Sequence, residues 1–203
     1  AAVRDCDHAD AVVDVGGALT REPGHDAHVG WRPRDGGADG APAAECATAH
    51  GTLLAGGVRV PALRVAVEDG KRAQPSKDWW QRVVFPTCLA FVRTHLARGR
   101  TVLLCCDAAD DRAPVLAAAA LLALYAPDCA TPRTPAPAAG RRCATKEEVR
   151  ARLALVHGAS AAARVPRRLT KELNNFFVGE QCGWLTLDLE AGGGSEQQHG
   201  VGR

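Results

Sequence analysis

A strand–loop–helix unit in the middle of the chain constrains the fold more than any other feature. Residues 101–105 are almost continuously apolar, as is typical of a strand covered on both faces. Residues 115–126 are almost wholly apolar and follow Pro114, which predicts a buried helix with a proline in its first turn. The order of the predicted elements indicates an α/β fold with a small central sheet flanked by helices.

The length of 203 residues is enough for one sizeable core. Before the central unit, strands are predicted at residues 11–15, 58–60 and 63–67. Residues 20–50 have no sustained period and are predicted to be a long loop. We expect three regions: a low-complexity N-terminal segment (1–50) with one strand, an α/β domain (51–178) with a Pro/Ala-rich excursion at 127–144, and a flexible tail (179–203).

Three further helices are predicted. The first begins near Asp78 and ends at Gly99, and Pro86 interrupts it because proline lacks the backbone N–H. The second begins at Thr145, which forms a capping-box pattern with Glu148. The third begins at Pro166, and its apolar face consists of Leu169, Leu173, Phe176 and Phe177.

The loop of the central unit holds the residues that carry chemistry. Cys106 and Arg112 are separated by Asp107, Ala108, Ala109, Asp110 and Asp111. Backbone N–H groups and a helix N-terminus around a cysteine lower its pKa and hold phosphate oxygens. An arginine at the end of the loop can bind two of these oxygens. The spacing predicts a phosphate-binding loop, with Cys106 as candidate nucleophile and Arg112 as phosphate clamp.

A carboxylate on another loop is a candidate general acid. Asp69 follows a predicted strand and precedes Cys106 by 37 residues, with a helix between them. This order resembles the dual-specificity phosphatase fold, in which an aspartate on that loop protonates the leaving oxygen. A simple turn carboxylate before Gly70 explains Asp69 equally well.

The loop also departs from that of an active cysteine phosphatase. Three carboxylates surround the expected anion site, and they repel a phosphate dianion and raise the thiol pKa. The usual histidine before the cysteine is Cys105, the loop glycine is Ala109, and the serine or threonine after the arginine is Ala113. These departures argue against hydrolysis by Cys106.

Several segments resemble the C-terminal, phosphatase-like domain of the initiator tRNA 2′-O-ribosyl phosphate transferases. The turn Glu68-Asp-Gly-Lys71, the strand that ends at Cys106 and the closing segment 165–177 match the family's pattern. In the loop, Cys106 and Asp111 match, whereas the family's Gly, Lys and Ser are absent. The resemblance covers about residues 50–178.

This resemblance implies a phosphatase-like fold and a part in transferring ribosyl phosphate from phosphoribosyl pyrophosphate to a 2′-hydroxyl of initiator tRNA. The family's larger N-terminal portion, where we expect most of the transferase chemistry, has no counterpart in these residues. The chain is therefore expected to be a downstream piece or a diverged relative that binds phosphate or RNA. No other cofactor is evident.

Basic residues are concentrated in the C-terminal third. Residues 133–171 hold ten Lys or Arg against two Glu, whereas residues 1–50 hold nine acidic and four basic side chains. A basic surface suits a phosphate-rich partner such as RNA, although a solvated helical face explains it equally well. The candidate RNA-binding residues are Lys71, Arg141, Arg142, Arg167, Arg168 and Lys171.

Two other functions stay open, an active cysteine-dependent phosphatase and a catalytically silent phosphatase-fold scaffold. No metal site is predicted, because Cys6, His8, His25 and His28 lack the paired spacing of zinc ligands. The chain has no run of 18 apolar residues, so no membrane span is expected. Adjacent cysteines at a strand end suit a reduced compartment, which predicts a cytoplasmic protein.

Overall fold

The computed structural model describes residues 9–15, 32–33, 48–55, 58–65, 79–106, 111–125 and 143–179. Several predicted site residues lie outside these ranges: Asp69, Lys71, Asp107, Ala108, Ala109, Asp110, Arg141 and Arg142. The four residues considered as metal ligands, the predicted excursion up to residue 142 and the predicted tail beyond residue 179 also lie outside them.

The described strands form one mixed sheet. They are β1 (Ala11–Val15), β2 (Arg32–Pro33), β3 (Thr48–Ala55), β4 (Val58–Val65) and β5 (Val102–Cys106), in the order β2-β3-β4-β1-β5. The strand β1 is parallel to both of its neighbours, whereas β3 is antiparallel to β2 and to β4. The strand predicted at residues 11–15 is thus confirmed, and it lies between strands that come later in the chain.

The strand β3 corrects the sequence analysis, which placed a loop at residues 20–50 and predicted no strand between residues 15 and 58. Its sequence, TAHGTLLA, mixes small and polar residues and shows no clear alternation. It is nevertheless paired with β4 along its whole length, from Thr48 opposite Val65 to Ala55 opposite Val58. That pairing also joins the two predicted strands into one, because β4 continues through Pro61. The formation of β3 and the continuity of β4 therefore depend on their pairing with each other rather than on local propensity.

The first helical segment confirms the predicted interruption at proline. A π-helical turn at Trp80–Val84 leads into helix α1 (Phe85–Leu96), and Pro86 lies in the first turn of α1. The backbone stays helical through Val84 and Phe85, so Pro86 lies where the π-helical turn changes into an α-helix. Gly99 adopts a φ of 69°, and its N–H donates to the carbonyl of Leu96 at 2.9 Å. A glycine ends the helix here because it tolerates positive φ.

Three more helices follow, α2 (Arg112–Leu124), α3 (Lys146–Ala159) and α4 (Arg167–Phe177). The predicted capping box of α3 is confirmed, since the Glu148 N–H donates to Thr145 Oγ1 at 3.2 Å and the Thr145 N–H donates to Glu148 Oε2 at 2.8 Å. Both bonds satisfy backbone N–H groups that a helix start leaves without intrahelical partners. As predicted, α2 is almost entirely buried.

The main core lies between the helices and one face of the sheet. Alternate residues of the central strands, including Val13, Val15 and Val65, point into it. Phe85 of α1 meets Phe176 of α4 with ring centroids 5.1 Å apart, and Phe176 packs edge-on against Phe177 at 4.9 Å. The apolar face predicted for α4 is therefore confirmed. A smaller cluster on the other face of the sheet contains Val12, Leu53, Val60, Ala62 and Cys105.

Replacing Phe176 by alanine tests how far α4 depends on this cluster. Phe176 is fully buried, so Phe176→Ala should lower the free energy of unfolding by about 3–5 kcal/mol, measured by urea denaturation. Leu155→Ala is the matched control, because Leu155 is also helical but 49% exposed, and it should change stability by less than about 1 kcal/mol. Equal losses in both variants would contradict this packing.

His95 makes the stability depend on pH. Its ring lies against Phe91, with centroids 4.4 Å apart, and Nδ1 is 3.3 Å from a guanidinium nitrogen of Arg100. Burial, followed by the charges of Arg100 and Arg98, lowers the pKa of His95. The unfolded chain therefore binds a proton more readily than the folded one, and stability is lost as the pH falls through the ordinary histidine value.

We expect the free energy of unfolding to be smaller at about pH 5.5 than at about pH 7.5. His95→Gln removes this titration but keeps an acceptor for Arg100, so the difference between the two pH values should shrink in the variant. Denaturation curves of both proteins at both pH values measure it. An unchanged difference would show that other groups cause the pH dependence.

Candidate functional site

The cysteine and the arginine stand at the two ends of the predicted loop, and the helix begins at the arginine itself, earlier than the sequence indicated. Cys106 is the last residue of β5, Arg112 is the first residue of α2, and Asp111 occupies the N-cap position of that helix. Cys106 is paired with Val15 of β1, and Val15 is paired with Val65 of β4. The carboxyl ends of three parallel strands therefore lie side by side, which is where open α/β sheets place their ligand sites.

The Cys106 thiol receives a hydrogen bond from the start of α2. The Ala113 N–H donates to Cys106 Sγ at 3.3 Å, so the amino end of the helix faces the sulfur as the loop spacing predicted. Burial nevertheless raises the pKa of the thiol, and the Asp111 carboxylate raises it further. The N–H groups of Ala113, Arg112 and Asp111 act in the opposite direction without outweighing burial. The sulfur is thus held mainly as a thiol, which is a poor nucleophile.

The guanidinium of Arg112 lies beside a carboxylate of the same loop. Its Nε is 4.0 Å from Asp111 Oδ1, and the Arg112 side chain is only 6% exposed, against 29% for Asp111. Asp111 makes no side-chain hydrogen bond that caps α2, although it stands at the position where aspartate commonly does so. Its negative charge is therefore next to both groups that the sequence analysis assigned to phosphate chemistry.

Cys105 lies on the opposite face of the sheet from Cys106, because successive side chains of a strand alternate. Its Sγ donates to the Val13 carbonyl at 3.4 Å and lies 4.0 Å from Asp14 Oδ1. Both cysteines are buried thiols. The extended strand separates their sulfurs, so the two residues do not form a disulfide with each other.

Asp14 was missed by the sequence analysis. It is a buried carboxylate on the central strand β1, in register with Cys105 on one side and Arg64 on the other. The side chains of Asp14, Arg64 and Cys105 lie on the face of the sheet opposite the helices. Each residue directly precedes the last residue of its strand. In the sequence, Asp14 is the one charged residue of the run 11–15, which is otherwise apolar. The sequence analysis interpreted this run only as a strand.

The strand that precedes the candidate acid Asp69 ends close to Cys106. Val65 ends β4, and Val65 and Cys106 are both partners of Val15. Two strand spacings separate them, about 10 Å. Asp69 and Lys71 themselves lie outside the described residues, so their roles stay predictions.

Of the predicted RNA-binding residues, the structure describes three, and these lie together on α4. Arg167, Arg168 and Lys171 are exposed on the first two turns of α4. Cys143, the residue after Arg142, lies at the other end of that helix, where its Sγ donates to the Gly179 carbonyl at 2.7 Å. The adjacent Ala144 N–H donates to the Phe177 carbonyl. The two ends of α4 are about 15 Å apart.

Within the described ranges, no group of three or more His, Cys, Asp or Glu side chains could hold a metal ion. Nor is any helix there long and apolar enough to cross a membrane.

Loss of the Cys106 thiol should leave phosphate ester hydrolysis unchanged, because the sulfur is buried and its pKa is raised. We expect wild type and Cys106→Ser to hydrolyse an aryl phosphate at the same rate near neutral pH. Thermal melting of both proteins verifies that the variant is folded. Hydrolysis by the wild type at least about tenfold faster than by a folded variant would instead establish Cys106 as a nucleophile.

The fold and the loop agree with a family assignment made from the sequence. Residues 62–177 match the family model of the initiator tRNA phosphoribosyl transferases that is described as the Rit1 DUSP-like domain. The match begins within β4 and ends at the last residue of α4, so it spans the loop and all four helices. No curated protein and no solved structure matches the chain. Because the match covers more than half of the 203 residues, this chain belongs to the family of the dual-specificity-phosphatase-like domain of initiator tRNA phosphoribosyl transferases.

Proposed function

We propose that this chain is the RNA-binding, phosphatase-like domain of an enzyme that modifies initiator tRNA. That enzyme transfers ribosyl phosphate from phosphoribosyl pyrophosphate to a tRNA 2′-hydroxyl, and another part of it carries the transfer chemistry. The observation that supports this role best is an exposed group of four basic residues at the start of α4, within the segment that matches the family. We call it the α4 basic group: Arg164, Arg167, Arg168 and Lys171.

The α4 basic group is accessible to a partner. All four side chains are exposed, and none of them forms an ion pair within the part of the chain that the structure describes. The one acidic residue of the helix, Glu172, accepts a hydrogen bond from Gln81 at 2.9 Å and is only partly exposed. By contrast, Arg150 on α3 lies 3.9 Å from Glu147. Among the described residues, no ion pair therefore neutralises the positive charge at the start of α4.

The position of these charges disfavours the helix itself. Two arginines and no acidic residue occupy the first turn of α4, next to the positive end of the helix dipole. Such placement destabilises a helix by a few tenths of a kcal/mol or more for each charge, whereas acidic residues would stabilise it. Helix stability therefore does not explain the arginines. An RNA phosphate bound there would interact favourably with the arginines and with the helix end.

The described part of the loop supports binding rather than hydrolysis as the role of the domain. The Cys106 thiol is buried with a raised pKa, and a carboxylate stands next to Arg112. A catalytic nucleophile needs the opposite arrangement, an ionised sulfur facing an arginine that is available to phosphate. We therefore assign RNA contact to the α4 basic group and no hydrolytic step to Cys106.

Binding of initiator tRNA tests this proposal. The wild-type affinity should fall steeply between about 50 mM and about 200 mM salt, because contacts to phosphates release counterions. Arg167→Ala/Arg168→Ala should weaken binding about tenfold at the lower salt concentration and reduce the slope of log affinity against log salt by about 2, roughly one for each arginine removed. Fluorescence anisotropy of labelled initiator tRNA measures both quantities.

Arg98→Ala/Arg150→Ala is the charge-matched control, since both arginines are exposed but lie outside α4. The control should bind initiator tRNA nearly as well as wild type. Equal weakening in the two double variants would place the RNA surface elsewhere. A wild-type affinity that does not depend on salt would refute RNA binding through phosphate contacts.

A further inference from the structure

The pair formed by Asp111 and Arg112 bears on what the loop accepts. We propose that Asp111 is a specificity-determining residue: its carboxylate takes the place of an anionic ligand beside Arg112, so that the loop does not accept a free phosphate dianion. This role differs from the phosphate binding that the Cys-x5-Arg spacing alone predicts. It does not depend on tRNA binding, so a domain that failed to bind tRNA could still show it.

The geometry of the pair is the first support. Arg112 is buried at the first position of α2, and its guanidinium Nε lies 4.0 Å from Asp111 Oδ1. A buried guanidinium requires a compensating negative charge, because desolvation of an unpaired charge is costly. In a phosphate-binding loop the ligand supplies that charge. Here a residue of the protein supplies it, from the position directly before the arginine.

The second support is that Asp111 serves no evident helix-capping role. Its side chain does not cap α2, although a carboxylate at the N-cap position is normally used in that way. The start of α2 directs the Ala113 N–H to Cys106 Sγ instead. The Asp111 carboxylate is thus beside the arginine and the thiol rather than bound to the helix end.

The electrostatic consequence concerns the charge of an incoming ligand. A phosphate dianion close to Arg112 would also be close to the Asp111 carboxylate, and like charges within a few ångströms repel strongly in a partly buried site. Removing the charge of Asp111 while keeping its shape should therefore remove this repulsion and favour an oxyanion beside Arg112, whose guanidinium can bind it with two N–H groups.

Titration with tungstate, a tetrahedral oxyanion, tests the inference by calorimetry. Wild type should show no saturable binding at millimolar concentrations, and Asp111→Asn should bind tungstate at least about tenfold more tightly. Asparagine is as good an N-cap residue as aspartate, so α2 should keep its start. Circular dichroism measures whether Asp111→Asn keeps its helical signal. If it does not, Asp111→Ser takes its place, because serine is also neutral and a good N-cap residue.

Two controls make the result specific. Asp111→Asn/Arg112→Gln should lose the gained affinity, since the guanidinium is absent. Glu147→Gln makes the same charge change at an exposed site on α3 and should behave as wild type. Wild-type binding as tight as that of Asp111→Asn would overturn the inference. So would the absence of any gain in a folded variant, or a gain that survives the loss of Arg112.

Discussion

The parallel pairing of β1 with β4 and β5 is the constraint on which the arrangement of the site depends. It places Val65, Val15 and Cys106 side by side, so that β4, β1 and β5 all end at the same carboxyl-terminal side of the sheet. The loop after β5 begins there, and so does the segment that leads to Asp69. Because side chains alternate along a strand, the same register also directs Cys106 toward the helices and Cys105 toward the other face.

At Cys106 two effects oppose each other. The start of α2 faces the sulfur and favours the thiolate, as in loops that cleave phosphate esters. Burial under the same helix favours the neutral thiol, and the charge of Asp111 adds to burial. The balance lies with the thiol. The helix start that favours an ionised cysteine thus faces the sulfur, while the burial of the sulfur and the neighbouring carboxylate oppose ionisation.

At the start of α4 the charges oppose the helix dipole, while the apolar face of the helix is fully used in the core. The two faces of one short helix therefore have separate roles. Leu173, Phe176 and Phe177 hold it against α1 and α2, and this packing tolerates the small electrostatic cost of the α4 basic group. The rigid attachment also presents those basic side chains at a defined place on the surface.

Local signals in the sequence determined much of the fold. The apolar run of β5, the first-turn proline of α2, the capping box at Thr145 and the apolar spacing of α4 each predicted an element that the structure contains, because these features act through neighbouring residues. The sequence also predicted that the segment from Cys106 to Arg112 lies between a strand and a helix, and these two residues are the last of β5 and the first of α2. Only the tertiary structure decided the strand β3, the place of β1 between β4 and β5, and the burial of Asp14. These depend on pairing and packing between distant segments, whose energies no local pattern encodes.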